Sequence, residues 1–248
     1  NIAVTNRSEQ GFTLGAVTAA SLGNIDIATA DAEGLEAGTV TLENLGGVTG
    51  NVGTINVTAE SDVTFDNGPS SASSVGAITV DVREGESETN TVTLGEVGGT
   101  GAGLNGVTIS GNGDFVMTTG DVETVGSIDA GESSGDIEVT LKDATTNGMV
   151  YTGSSGVDTF GGTGAADQIN ANAGDDDITA GGGDDIVNGG DGADTLRGGA
   201  GDDTLNGDDG DDLIIGGQGA DTVDGGLGTD TFSAAGMKAD DVEGSAEN

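Results

Sequence analysis

Gly198-Gly199-Ala200-Gly201-Asp202-Asp203-Thr204-Leu205-Asn206 is the sixth of nine nonapeptides that run without a gap from Gly153 to Ser233. The sixth position of every copy is aspartate: Asp158, Asp167, Asp176, Asp185, Asp194, Asp203, Asp212, Asp221 and Asp230. The eighth position is always large and apolar: Phe160, Ile169, Ile178, Val187, Leu196, Leu205, Ile214, Val223 and Phe232. So strict a period predicts stacked units, each burying its apolar side chain against its neighbours.

Within one copy the glycines permit positive φ and a tight turn whose carbonyls can converge. Asp203 adds a carboxylate at the end of that turn, and Thr204-Leu205-Asn206 forms a short strand with one apolar side chain inward. Carbonyls plus one carboxylate suit a hard cation with flexible oxygen coordination, which is Ca²⁺. Mg²⁺ demands a stricter octahedron, and the chain holds neither Cys nor His for a transition metal. The expected ligands are the nine sixth-position aspartates and the turn residues Gly181, Gly183, Gly190, Gly192, Gly199, Gly201, Gly217, Gly219, Gly226 and Gly228.

Two nonapeptides per turn would place copies i and i+2 one above the other on the same edge, with an ion between them. Nine copies leave about seven interior sites of this kind. Residues 153–233 hold 18 Asp, no Glu and one Arg, Arg197, for a net charge of −17. Such acidity normally keeps a chain disordered. Seven calcium ions would offset nearly all of it, so the segment is expected to fold when the ion binds. Three early copies depart from the consensus. Ala165 replaces a fourth-position Gly, and Ala171-Asn172 replaces a Gly pair. Gly161, Gly162 and Gly164 fall one residue early, which predicts a shifted turn.

The whole chain has 248 residues, 44 acidic and five basic side chains, and a formal net charge of −39. Nucleic acid and anionic membranes are therefore not expected partners, since basic side chains supply that attraction. The absence of His and Cys removes zinc sites, thiol nucleophiles and the usual neutral-pH base. No apolar run reaches the length of a membrane-spanning helix. The first residue is Asn1, with neither Met nor a signal-peptide pattern after it, which points to a processed start or an excised part of something longer.

Residues 1–152 repeat differently. Ser21-Leu22-Gly23-Asn24-Ile25, Asn51-Val52-Gly53-Thr54-Ile55, Ser74-Val75-Gly76-Ala77-Ile78 and Thr124-Val125-Gly126-Ser127-Ile128 share one motif, and Glu96-Val97-Gly98 reads as a degenerate copy. Each is followed by a Val-Thr-apolar triplet: Val40-Thr41-Leu42, Val63-Thr64-Phe65, Val92-Thr93-Leu94, Val107-Thr108-Ile109 and Val139-Thr140-Leu141. Short alternating strands broken by Gly and Asn read as solenoid coils, with Val and Ile inward and polar residues outward. An antiparallel sandwich is the alternative. Helix signals are sparse, Ala30–Leu35 being the best candidate, and Pro69 with its neighbouring serines marks a loop.

The expected fold is thus all-β: a right-handed parallel β-solenoid with irregular coils of roughly 22–30 residues, continuing into a calcium β-roll of about 18 residues per turn. The expected organisation is a Thr/Val/Gly-rich β-solenoid over 1–152, the roll over 153–233 and a short acidic tail over 234–248. Phe160 and Phe232 stand in the first and last nonapeptides, where a larger residue can cap the apolar ladder.

At the nonapeptides the chain resembles the RTX family of calcium-binding β-rolls. The resemblance implies a parallel roll, ions held by the sixth-position aspartates and the glycine-turn carbonyls, export through a one-step bacterial channel, and folding in external calcium. The coils, with Val125-Gly126-Ser127-Ile128-Asp129-Ala130 through Ile137-Glu138-Val139-Thr140-Leu141, are also similar to lattice-forming RTX surface-layer proteins of Gram-negative bacteria.

Three functions follow from these features. The first is an extracellular or cell-surface structural protein that folds on calcium and self-assembles into a surface layer or filament, its partner being further copies of itself. The second is a calcium-stiffened segment of a large secreted adhesin, with cell-surface polysaccharide as a partner. The third is the tail of a secreted enzyme. No His-Glu-x-x-His, Ser-His-Asp or other nucleophile–base pair is present, and the ion period already explains acid pairs such as Asp211-Asp212, so no catalytic residue is expected. Loop acids such as Asp62, Asp66 and Asp114 would permit further ions upstream.

Overall fold

A computed structural model describes residues 2–6, 12–14, 18–19, 21–29, 40–42, 47–48, 51–60, 63–65, 74–83, 91–97, 102–119, 122–141 and 147–233. The helix candidate at Ala30–Leu35, the loop at Pro69 and the tail at 234–248 lie outside these residues. Among the described residues every element is a strand, and every pairing given by register is parallel. The chain forms two compact units, one of 1–127 with 132–135 and 140–144, the other of 128–131, 136–139 and 145–248.

In the first unit the longer strands alternate between two parallel sheets, while Thr18–Ala19 and Gly47–Val48 pair in a small sheet of their own. One contains Ile2–Asn6, Ile25–Thr29, Ile55–Ala59, Ser74–Val82 and Ala102–Gly111. The other contains Phe12–Leu14, Val40–Leu42, Val63–Phe65, Thr91–Val97 and Asp114–Thr119. Alternation of apolar and polar residues puts Ile25, Ile55, Ile78 and Val107 in one fully buried ladder. Val40, Val63, Val92 and Phe115 form the facing ladder from the second sheet, all at 0% exposure. This is a solenoid coil and excludes the antiparallel sandwich.

Two details of the sequence reading change. The backbone positions in register with Leu22, Val52 and Val75 are Leu104 and Val125, so the fourth copy of the motif lies at 103–107. Glu96 and Val97 end a strand of the other sheet instead. Val107-Thr108-Ile109 aligns with Ile78-Thr79-Val80, and the triplet that follows Val92-Thr93-Leu94 in its own sheet is Phe115-Val116-Met117. The column therefore runs Leu22, Val52, Val75, Leu104, Val125, with longer and shorter coils alternating along it.

The second unit follows the nonapeptide period. Tyr151, Ile169, Val187, Leu205 and Val223 pair in sequence along one sheet, and Phe160, Ile178, Leu196, Ile214 and Phe232 along the other. Each step spans two nonapeptides, so two copies make one turn, as expected. All of these side chains except half-buried Phe232 are at most 2% exposed. Gly161 pairs with Thr179 at the same step, so the strand that leads into the turn at Gly162 and Gly164 keeps the common register. Phe160 does not cap its ladder, because its strand, Asp158–Gly161, lies between Ile137–Thr140 and Asp177–Gly182 in the sheet. Its ring stacks on Tyr151 with centroids 4.1 Å apart, filling the core between the two sheets.

Candidate metal centre

The ten turn glycines singled out from sequence all take left-handed φ, between 82° and 143°. They occupy the second and fourth positions of their repeats. Asn172 (φ 79°) and Asp208 (φ 72°) adopt the same conformation at second positions, as Gly174 and Gly210 do at fourth positions. Asn and Asp are the non-glycine residues that enter this region most readily. The third repeat thus has the same turn as the later ones despite Ala171-Asn172, and sequence reasoning missed these four turn positions.

The turn delivers its aspartate inward. Asp158, Asp167, Asp176, Asp185, Asp194, Asp203, Asp212 and Asp221 are at most 3% exposed, and Asp230 is half-buried. One oxygen of each later carboxylate is committed to the backbone. The N–H of Asp158 donates to Asp176 Oδ1 at 2.7 Å, and the same bond recurs from Asp167 to Asp185, Asp176 to Asp194, Asp185 to Asp203, Asp194 to Asp212, Asp203 to Asp221 and Asp212 to Asp230. The other oxygen has no donor. Oδ2 of Asp176, Asp185, Asp194, Asp203, Asp212 and Asp221 is buried without any hydrogen-bond partner.

Six buried anionic oxygens without partners are costly unless a cation meets them. Their surroundings are built for one. A Cβ placed on Gly198 would strike Asp203 Oδ2 and lie 2.6 Å from the carbonyl oxygen of Gly216, one full turn further on. The equivalent space at Gly189 is shared by Asp194 Oδ2 and Gly207 O, and that at Gly207 by Asp212 Oδ2 and Gly225 O. Each space therefore brings a carboxylate from one turn to a carbonyl of the next turn on that edge. Among the described residues no three acidic side chains converge on one point. The donor set is one carboxylate per turn plus backbone oxygens, which fits Ca²⁺ and not a carboxylate cage.

Electrostatics agrees with the geometry. Burial pushes the carboxyls of Asp176 and Asp185 up to about 7 and that of Asp194 up to about 6; those of Asp203 and Asp212 are raised for the same reason, with neighbouring aspartates adding to the effect. A nearby divalent cation reverses that preference and favours the ionised form.

Asp158 and Asp167 differ. Asp158 Oδ2 accepts from the Ser154 N–H (2.8 Å) and the Tyr151 hydroxyl (3.1 Å), and its Oδ1 accepts from the Ser154 hydroxyl (2.8 Å). Asp167 accepts from the Thr163 N–H (2.6 Å), the Thr163 hydroxyl (2.9 Å) and the Met149 N–H (2.8 Å). Both oxygens of these two carboxylates meet hydrogen-bond donors, where the later ones keep one oxygen free.

A second file of aspartates was not anticipated. Exposed Asp175, Asp184, Asp202 and Asp211 each accept at 2.8–3.0 Å from the backbone N–H of the residue one turn on, namely Ala193, Asp202, Ala220 and Thr229. These fifth-position carboxylates tie the outer edges of the turns together.

A family model of the RTX calcium-binding nonapeptide repeat, four copies long, matches residues 152–187, 161–196 and 197–232. Residues 152–232 are thus RTX repeats of a calcium-binding β-roll, and the ions they take are calcium. No curated protein and no solved structure matches the chain.

Proposed function

We propose that this protein is an extracellular structural element whose nonapeptide segment is folded by calcium. The observation that carries this reading is the row of buried, unpartnered aspartate oxygens from Asp176 to Asp221, repeated with the nonapeptide, those of Asp194, Asp203 and Asp212 sharing their space with a carbonyl of the neighbouring turn. Without ions the row is a stack of desolvated anions. With ions, binding free energy becomes folding free energy. Low calcium inside a cell and high calcium outside would make that fold conditional on export.

Self-assembly into a surface layer or filament extends the proposal. Among the described residues the strands Ile2–Asn6 and Phe12–Leu14 are each paired on one side only, and an edge of this kind recruits another strand. A second reading, a calcium-stiffened adhesin segment, draws on a different feature. Thr13, Thr41, Thr64 and Thr93 stand in register in one file, Thr13 exposed and the others half-buried, a regular hydroxyl array suited to a polysaccharide.

Circular dichroism and negative-stain microscopy in millimolar CaCl₂, then in EGTA, test these readings. Ordered sheets or fibres that dissolve in EGTA are expected. A chain that folds in calcium yet stays monomeric at high concentration overturns assembly and favours the adhesin. A spectrum indifferent to calcium overturns ion-coupled folding.

A further inference from the structure

The first two nonapeptides carry the repeat signature but not its chemistry. Second positions from the third repeat onward take left-handed φ, whereas Ser154 and Thr163 do not. Their N–H groups consequently point at Asp158 Oδ2 and Asp167 Oδ2. Their hydroxyls donate to the second oxygen of the same carboxylates. Ser154 is 1% and Thr163 6% exposed, so these bonds are shielded from water. A carbonyl from the next turn, Ala171 O or Ala180 O, still lies beside each carboxylate. The carboxylate itself is surrounded by N–H and O–H donors. Those donors present positive dipole ends to both oxygens and make three hydrogen bonds to each carboxylate, taking up most of its roughly four lone-pair sites.

We infer that the repeats of Asp158 and Asp167 bind no calcium and form an ion-free first coil from which the calcium-dependent turns grow. Protein donors supply there what ions supply in later turns. Stacking of Tyr151 on Phe160 and the bond from the Tyr151 hydroxyl to Asp158 complete the coil without metal. It is also anchored upstream within its own unit: the Val157 N–H donates to Asp136 Oδ1 at 2.9 Å, and the Ile137 N–H to the Val157 carbonyl at 3.1 Å. Downstream, the N–H groups of Asp158 and Asp167 hold Oδ1 of Asp176 and Asp185. The coil therefore orients the first two carboxylates that retain a free oxygen. This inference rests on the calcium reading for those later turns.

Calcium bound per chain, measured by equilibrium dialysis, separates the two claims. Asp203→Asn should lose at least one ion; no loss would overturn the calcium assignment of the later turns. Asp158→Asn and Asp167→Asn, made singly, should leave the number of ions unchanged; loss of an ion from either would overturn the ion-free coil while leaving the later sites standing. Hydrogen exchange on the unaltered chain keeps the idea testable if those variants misfold. In EGTA, amides of 149–169 should exchange at least about tenfold more slowly than those of 195–232. Equal exchange in the two segments would overturn the inference.

Discussion

The backbone N–H of Asp185 donates to Oδ1 of Asp203, one turn on, at 2.9 Å, while Oδ2 of the same carboxylate has no donor. One side chain thus performs two tasks, holding adjacent turns together and offering an oxygen to an ion. The two are separable by substitution. Asp203→Ala removes both, leaving the Asp185 amide buried without an acceptor at a cost of about 1–3 kcal/mol in addition to the lost site. Asp203→Asn keeps an acceptor for the amide but removes the charge. Thermal unfolding should show Asp203→Asn less stable than the parent in calcium and more stable in EGTA. A variant less stable in both media would contradict the division of labour.

The raised carboxyls set a pH dependence that reverses with calcium. Without the ion, Asp176 and Asp185 titrate at about 7 and Asp194 at about 6 when folded, mainly because burial disfavours their charge. In the unfolded chain they titrate at about 3.9. A folded pKa above the unfolded one gives stability that is complete below about pH 4 and lost as pH rises through about 6 to 7. In EGTA the roll should therefore gain strand content on acidification from pH 7.5 to pH 4. In calcium, protons compete with the ion, and the same acidification should lower the melting temperature. Circular dichroism across both series checks the two slopes, and parallel slopes would refute the assignment.

Leu205 lies at 0% exposure between Val187 and Val223 in its ladder. Leu205→Ala should cost about 2–5 kcal/mol, the usual range for a cavity in a packed core. The mutant should also need more calcium to reach half-folding, because ion binding and folding are one equilibrium. An unchanged calcium midpoint would show that the roll forms before the ion binds.

The roll was legible because its period is constant. Once Leu205 is inward, a step of two nonapeptides assigns Val187 and Val223 without further information. Upstream, coil length varies, so a three-residue motif such as Glu96-Val97-Gly98 fits by chance, and Val107-Thr108-Ile109 suits either sheet equally well. Asp158 and Asp167 hold the sixth position of their copies just as Asp203 does. What separates them from Asp203 is the direction of a backbone N–H, set by φ at Ser154 and Thr163. A hydroxyl residue four places before the aspartate, where later repeats have Gly, Asn or Asp, was the available signal.

Two glycines of the roll separate conformation from composition. Gly199 has φ 114°, and a Cβ there would run into the carbonyl oxygen of Gly181 in the preceding turn. Gly161 has ordinary φ, and a Cβ there would meet nothing within 4 Å. Gly161→Ala should therefore change stability by less than about 0.5 kcal/mol, whereas Gly199→Ala combines left-handed strain of about 1–2 kcal/mol with a steric clash. Asp208 is the converse case, a side chain held at φ 72°. Asp208→Gly should relieve part of that strain and one negative charge, raising stability by up to about 1 kcal/mol. Melting temperatures of the three variants at saturating calcium should rank Asp208→Gly highest and Gly199→Ala lowest. A Gly199→Ala protein as stable as Gly161→Ala would mean that the left-handed turn is not required for the fold.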